Sequence, residues 1–293
     1  MIAIEISGGL GNQLFEYSFI YNQHKRLNTS FFMIKTGVPI ALYRYFELEK
    51  NLFYYIDRIL FNYSGFKLLF SHYLRGAFYQ AVLKRTINQT LDTDLWQEPA
   101  DVIKLVADGT LYRGYFQSER FFAEFKHELS SVFKIRPYYQ KAFSKKFAWL
   151  YANQKIVVIH IRRTDYKTAL AYLNLGGDDL CLPIGYYHHI IQEIHHEDNF
   201  YVILSDDIDS VKNEFDYLEH KYFSIENEIN DFQLMMNADV CIIANSTFSW
   251  WAAYLNPKLH KVIYCPKHFL GFLSGIDFPT AIYPHEWKQV AVI

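Results

Sequence analysis

The 293-residue sequence has three cysteines, Cys181, Cys241 and Cys265, and no CxxC pair among them. That scarcity argues against a disulfide framework and a zinc-thiolate site, and it fits a reducing compartment. Charge of one sign is also lacking, since 29 Lys and Arg stand against 31 Asp and Glu. No polybasic field is available for general nucleic-acid affinity, so nucleic acid is not an expected partner and any anion site must be local. No uncharged apolar run reaches the ~18 residues that spanning a bilayer takes. The opening MIAIEI has no basic segment ahead of a long apolar stretch, so the expectation is a cytoplasmic protein. Repeats and low-complexity tracts are missing too.

Aromatic residues are abundant. They make up 18% of the chain, with 24 Tyr and 25 Phe, which implies a dense core or flat stacking surfaces of the kind sugars and bases use. From about residue 155 short β-branched runs alternate with helix-period segments: IVVIHI, IGYYHHIIQEIHH, NFYVILS, IDSVKNEFDYLEHK, YFSI, NDFQLMMNA, VCIIA, TFSWWAAYL and KVIYC. That alternation predicts βαβ units and a doubly wound parallel sheet covered on both faces.

The first half opens with the strand IAIEI, the turn SGGLGNQ, the helix LFEYSFIYNQHKRL and the strand SFFMI. Residues 40 to 98 lack proline and hold many aromatics, 53 to 85 read as helices, and TLYRGYFQS reads as a strand with a functional end. The join is expected at about residue 150, giving domains 1–150 and 151–293.

In open α/β sheets ligands bind outside the carboxyl ends of the strands. Three predicted strand ends in the second half are polar: His160, Arg162, Arg163 and Asp165; Ser205, Asp206 and Asp207; Asn245, Ser246 and Thr247. Guanidinium forks beside a helix start with free N–H donors suit a diphosphate. The bland alternative is a solvated network in which the arginines pair with acids such as Asp165, with NST as a plain helix cap.

Other motifs weigh less. Asp207 and Asp209 have DxD spacing, but acids at a helix start explain them equally well, so no metal is expected. His188, His189, His195 and His196 lack HExxH spacing and read as surface residues. GGLGNQ fails the dinucleotide fingerprint because Leu14 occupies its third glycine position. It remains a ligand-approaching turn at Gly11 and Asn12. Residues 53 to 91 carry Arg58, Lys67, Arg75, Lys84 and Arg85 against Asp57. That surface is either solvated helix face or a peripheral contact with anionic lipid at the inner membrane.

Taken together, GGLGNQLFEY, GYFQSERFF at 114 to 122, HIRRTDY at 160 to 166, SDD at 205 to 207 and NSTFSWWAAYLN at 245 to 256 resemble glycosyltransferase family 11. These are the inverting α-1,2-fucosyltransferases that use GDP-fucose. The match runs in order over nearly the whole chain. The resemblance implies a GT-B fold, two Rossmann-like domains facing a cleft, with acceptor on the N-terminal side and donor in the C-terminal half. It implies transfer of L-fucose from GDP-β-L-fucose to the 2-hydroxyl of galactose in a glycan, without a metal or other cofactor. His160 and Asp231 would contact guanine, Arg162 the diphosphate, and Ser246 and Thr247 the phosphates. Arg162 and Asp165 are the expected catalytic pair, with Asp165 as base or as holder of the arginines. Arg163, Asn245, Gly11 and Asn12 complete the expected donor contacts. Thr164 stands where the family often has Gly, and Glu16 where it usually has Gln, so Glu16 is not expected to be a shared base. Alternatives are another GDP-sugar transferase, α-1,6 or protein-linked, and a non-catalytic sugar-nucleotide or glycan-binding protein. A short chain of this kind suits a bacterial cell-surface polysaccharide enzyme.

Overall fold

The computed structural model describes residues 1–35, 40–48, 55, 71–151 and 154–292. Two compact units make up the chain, Met1–Lys134 and Ile135–Ile293. The division falls ahead of the join at about 150 expected from sequence. Helix Pro137–Phe147 packs against the helix at Glu228–Met236 and so belongs to the second unit.

In the first unit four strands, β1 (Ile2–Ile6), β2 (Phe31–Lys35), β3 (Gln89–Asp92) and β4 (Thr110–Arg113), form a parallel sheet in the order β2-β1-β4-β3. Ile2, Ala3, Ile4 and Ile6 are all buried, the near-continuous apolar run of a strand covered on both faces. Helix α1 (Leu10–Leu27) returns from β1 to β2, and helix α2 (Ser71–Thr86) precedes β3. Much of the aromatic content goes into packing: Phe19 stacks on Phe116 at 3.8 Å, and Tyr17 meets Phe133 edge-on at 5.6 Å.

Strand β3 follows the stretch 53 to 85 that reads as helical and is not marked by periodicity. Gln89, Thr90 and Asp92 are exposed on this edge strand, so it has no apolar alternation to betray it, and its backbone pairing with β4 defines it. Of the basic stretch, Arg58, Lys67 and the side chain of Arg75 lie outside the described residues. Lys84 and Arg85 are exposed in the last turn of α2, where cations complement the helix dipole. Among the described residues no helix is long and apolar enough to cross a membrane.

The second unit has six parallel strands: β5 (Lys155–Ile161), β6 (Asn199–Ser205), β7 (Lys221–Phe223), β8 (Val240–Ile242), β9 (Val262–Pro266) and β10 (Lys288–Val290). Their order is β10-β9-β8-β5-β6-β7. The chain therefore winds outward from β5 in one direction and outward from β8 in the other. A crevice is expected where the winding reverses, at the carboxyl ends of β5 and β8.

Helices α3 (Pro137–Phe147), α4 (Ile184–Ile194), α5 (Glu228–Met236) and α6 (Thr247–Tyr254) accompany this sheet. On β5, Val157, Ile159 and Ile161 pack with Tyr186, Tyr187, Ile190 and Ile191 of α4. Alternation along a strand sends the residues between them to the opposite face. Residues 208–221, which read as a helix, hold two short 3-10 turns instead, Ile208–Ser210 and Lys212–Phe215. Val211, Phe215 and Leu218 are buried, and β7 begins at Lys221.

Candidate active site

Burial and a partner deficit mark the end of β5. His160 is 6% exposed, its ring lies 5.8 Å from Phe248 of α6, and its Nδ1 has no hydrogen-bond partner. Desolvation first and the Arg162 charge second push the imidazole down to about 3, against the pull of Asp206. His160 is therefore a neutral ring with an unmet polar atom, suited to a polar ligand edge. Phe248 in turn meets Phe232 of α5 at 5.4 Å, which connects His160 to the helix that carries Asp231.

The two arginines do different things. Arg162 shares the strand face of His160, lies 5.6 Å from the Tyr166 ring and donates from Nε to Asp165 Oδ1 at 2.8 Å. The terminal nitrogen NH2 meets the same oxygen at 2.8 Å, and Nε lies 3.3 Å from Asp206 Oδ2. Arg163 follows the alternation to the α4 side, where NH1 donates to the Leu182 carbonyl at 2.7 Å. Arg162 thus stays on the His160 face with Asp165 and Asp206 holding it, and Arg163 is anchored to the loop before α4.

Asp206, which sequence reasoning left out of the site, organises this loop. It accepts from the Arg163 backbone N–H at 2.8 Å and from the Thr164 hydroxyl at 2.5 Å, besides facing Arg162. Asp206 is the first Asp of the SDD motif, which could have marked it had that residue been weighed as a brace for the arginine loop. Asp207 precedes a 3-10 turn and Asp209 pairs with Lys212 at 2.7 Å.

At the end of β8 the Asn245 side chain is fully buried. Its Nδ2 donates to Leu180 O at 2.9 Å, and its Oδ1 has no partner. The Tyr166 hydroxyl donates to Asn245 O at 3.0 Å, tying the arginine loop to the start of α6. Ser246 holds the N-cap position with extended backbone, but its hydroxyl makes no capping bond to the helix. The first-turn N–H groups beyond Ser246 and Thr247 are thus left without a serine cap, and they carry the positive end of the helix dipole. His160, Arg162, Asn245, Ser246 and Thr247 are brought together by the adjoining strands β5 and β8.

Asp231 stands in the first turn of α5 and accepts from the Ser224 hydroxyl at 2.5 Å. Burial raises its carboxyl to about 6 despite that bond. Beside it Glu226 accepts from Asn230 Nδ2 at 3.0 Å and pairs with Lys146 of α3 at 2.6 Å.

Gly11 and Asn12 belong to the first unit, in the opening turn of α1. Gly8 before them has φ +67°, and a Cβ there would meet the Asn12 amide at 2.5 Å. Asn12 Oδ1 accepts from Gln117 Nε2 at 3.0 Å, and the Gln117 Oε1 is buried without a partner. Gln117, in GYFQS after β4, is a second polar residue that the sequence reading quoted but did not select. Glu16 is fully buried, accepts from the Ser7 backbone and hydroxyl, and has its carboxyl raised to about 8, with burial the main cause.

Residues 1–289 match the family model of glycosyl transferase family 11. Two relatives come from Escherichia coli. One, an alpha-1,2-colitosyltransferase, is 27% identical over 267 residues and 87% of each chain. The other, the O-antigen biosynthesis glycosyltransferase WbnK, is 25% identical over 91% of this chain and 94% of its own. Among solved structures, the fucosyltransferase NodZ from Bradyrhizobium aligns with a TM-score of 0.55 at 12% identity, over 87% of this chain and 93% of that one. At that identity the likeness speaks for the fold alone, which is of the GT-B type, with a parallel α/β sheet in each unit.

Proposed function

The chain belongs to glycosyl transferase family 11 and is a glycosyltransferase, and on that premise we propose that it is an inverting, metal-independent galactoside α-1,2-fucosyltransferase. L-Fucose moves from GDP-β-L-fucose to the 2-hydroxyl of a galactose unit in a glycan. The C1–O bond to GDP breaks, the bond from C1 to the acceptor oxygen forms on the opposite face, and the hydroxyl proton leaves to a base. Supporting this reading is the cluster of Arg162, the α6 start that Ser246 does not cap and the neutral His160 at the point where the sheet winding reverses.

Charge develops on the departing diphosphate. Arg162 and the first-turn N–H groups of α6, with Ser246 and Thr247, stabilise it, and each donor placed in advance is worth ~10² or more in rate. Asn245 supports that helix start. Arg163 adds its positive charge from the side and fixes the loop. His160 and Asp231 take the guanine edge, an ionised carboxylate being suited to its N1 and N2 donors. Asp165 orients Arg162 and is the carboxylate offered to the acceptor proton. Gly11 and Asn12 form the proposed donor-contacting turn of the first unit, which takes the acceptor role.

Incubation with GDP-fucose and lactose in EDTA tests the reading: released GDP and a fucosylated trisaccharide are expected. GDP binding without turnover on any galactoside would overturn it in favour of a binding protein. A second reading, transfer of colitose to the same hydroxyl, draws support from the relative named as an alpha-1,2-colitosyltransferase. GDP-colitose in the same assay distinguishes the two by which donor gives the higher kcat/KM.

A further inference from the structure

The loop between β7 and α5 is braced at nearly every residue. Ser224 N–H donates to Ile203 O at 2.9 Å, carrying the β7 ladder one step beyond the strand. Its hydroxyl donates to Asp231 Oδ1 at 2.5 Å and accepts from the Glu226 N–H at 3.3 Å. Glu226 accepts from the Tyr222 hydroxyl at 3.1 Å and is clamped by Asn230 and Lys146. Asn227 caps α5 by accepting from Asn230 N–H at 3.1 Å. By contrast the Ile225 side chain in the middle is 82% exposed. Tyr222, Asn230 and Lys146 hold Glu226, whereas Asp231 is held by the hydroxyl of Ser224, which is 3% exposed.

A carboxylate has free rotation about its last bond unless something holds one oxygen. Guanine offers two parallel donors, N1–H and the N2 amine, and satisfying both needs the carboxylate plane to be aligned with the base. We propose that Ser224 is a positioning residue for base selectivity: by holding Asp231 Oδ1 it fixes the carboxylate plane, so that Asp231 reads the guanine N1–H and N2 amine together. The inference rests on the assignment of Asp231 to the guanine. It extends that assignment by naming what makes the contact bidentate. Among the described residues Glu226, itself paired with Lys146, and the Tyr222 hydroxyl are titratable groups that act on Asp231, and the Ser224 bond opposes the rise that burial imposes on its carboxyl.

Inosine diphosphate separates the two contacts because it keeps N1–H and lacks the amine. Titration calorimetry of the full chain with GDP and IDP, for wild type, Ser224→Ala, Ser224→Thr and Asp231→Asn, tests the proposal. Ser224→Ala is expected to weaken GDP ~10-fold while leaving IDP within ~2-fold, so the GDP preference falls. The pH midpoint of GDP binding should rise in Ser224→Ala, and Ser224→Thr should restore both the preference and the midpoint. Equal losses for GDP and IDP, or an unmoved midpoint, would overturn the positioning role while Asp231→Asn still loses GDP. If Asp231→Asn binds GDP as wild type does, the guanine assignment falls, and the Ser224 proposal with it.

Discussion

Glu16→Gln provides a direct test of the burial argument in the first unit. The carboxyl is fully buried on α1, and both of its oxygens accept from Ser7 N–H, at 3.1 and 3.0 Å, with the Ser7 hydroxyl at 2.7 Å. Desolvation outweighs these three bonds and lifts the group from an ordinary 4.5 to about 8. Below pH 4.5 the acid is protonated whether the chain is folded or not, and folding incurs no penalty. Between 4.5 and 8 the folded state holds a proton that the unfolded state has released, so stability falls as pH rises. From 4.5 to about 8, at ~1.4 kcal/mol per unit, the loss is at most about 5 kcal/mol. Gln keeps the volume and one acceptor for Ser7 and removes the titration. Urea unfolding of both proteins at pH 5, 6, 7 and 8 should show the variant gaining on wild type by several kcal/mol across that range. Amide exchange along α1 should localise the gain. Parallel stability curves would refute the assignment, because every other titrating group is common to both proteins.

Three further outcomes follow from named contacts. Asp206→Ala removes the acceptor of the Arg163 N–H, the Thr164 hydroxyl and Arg162. A loss of about 2–4 kcal/mol in thermal unfolding is expected, with weaker GDP binding by calorimetry. Gly114 has φ +136°, and a Cβ there would lie 2.1 Å from the Thr93 hydroxyl and 2.7 Å from its carbonyl. Gly114→Ala should therefore cost ~2 kcal/mol or more in urea unfolding, and a neutral result would show that Thr93 yields freely. Asp165→Asn should lower fucosyl transfer by ~10² or more while GDP affinity changes less than ~10-fold; collapse of GDP binding would leave Asp165 only the task of holding Arg162.

The second unit was legible because each of its buried strands, IVVIHI, NFYVILS, VCIIA and KVIYC, is a compact apolar run between helix-period segments. Burial on both faces writes itself into composition. Two strands escaped for the opposite reason. β3 exposes Gln89, Thr90 and Asp92, and β10 exposes Lys288 and Gln289, so neither has a core-facing pattern to read. What defines them is a hydrogen-bonded neighbour far along the chain, β4 for one and β9 for the other. Long-range pairing of polar edges leaves no local trace.

The candidate site shows the same division between what a residue is and what it touches. HIRRTDY announces two adjacent cations at a strand end, and chemistry alone makes them equivalent. Geometry does not, because neighbours along a strand point to opposite faces. Arg162 therefore stays with His160 on the face of α6, while Arg163 turns to the Leu182 carbonyl below α4. The solvated pairing weighed as the bland alternative is partly present, since Asp165 and Asp206 both meet Arg162. Those acids do not account for the rest of the crevice. The His160 Nδ1 and Asn245 Oδ1 are buried without partners beside a helix start that the Ser246 hydroxyl does not cap. Native interiors rarely leave such groups unpaired without a purpose. A ligand with both donors and negative charge would meet these groups at once, and a sugar nucleotide has both.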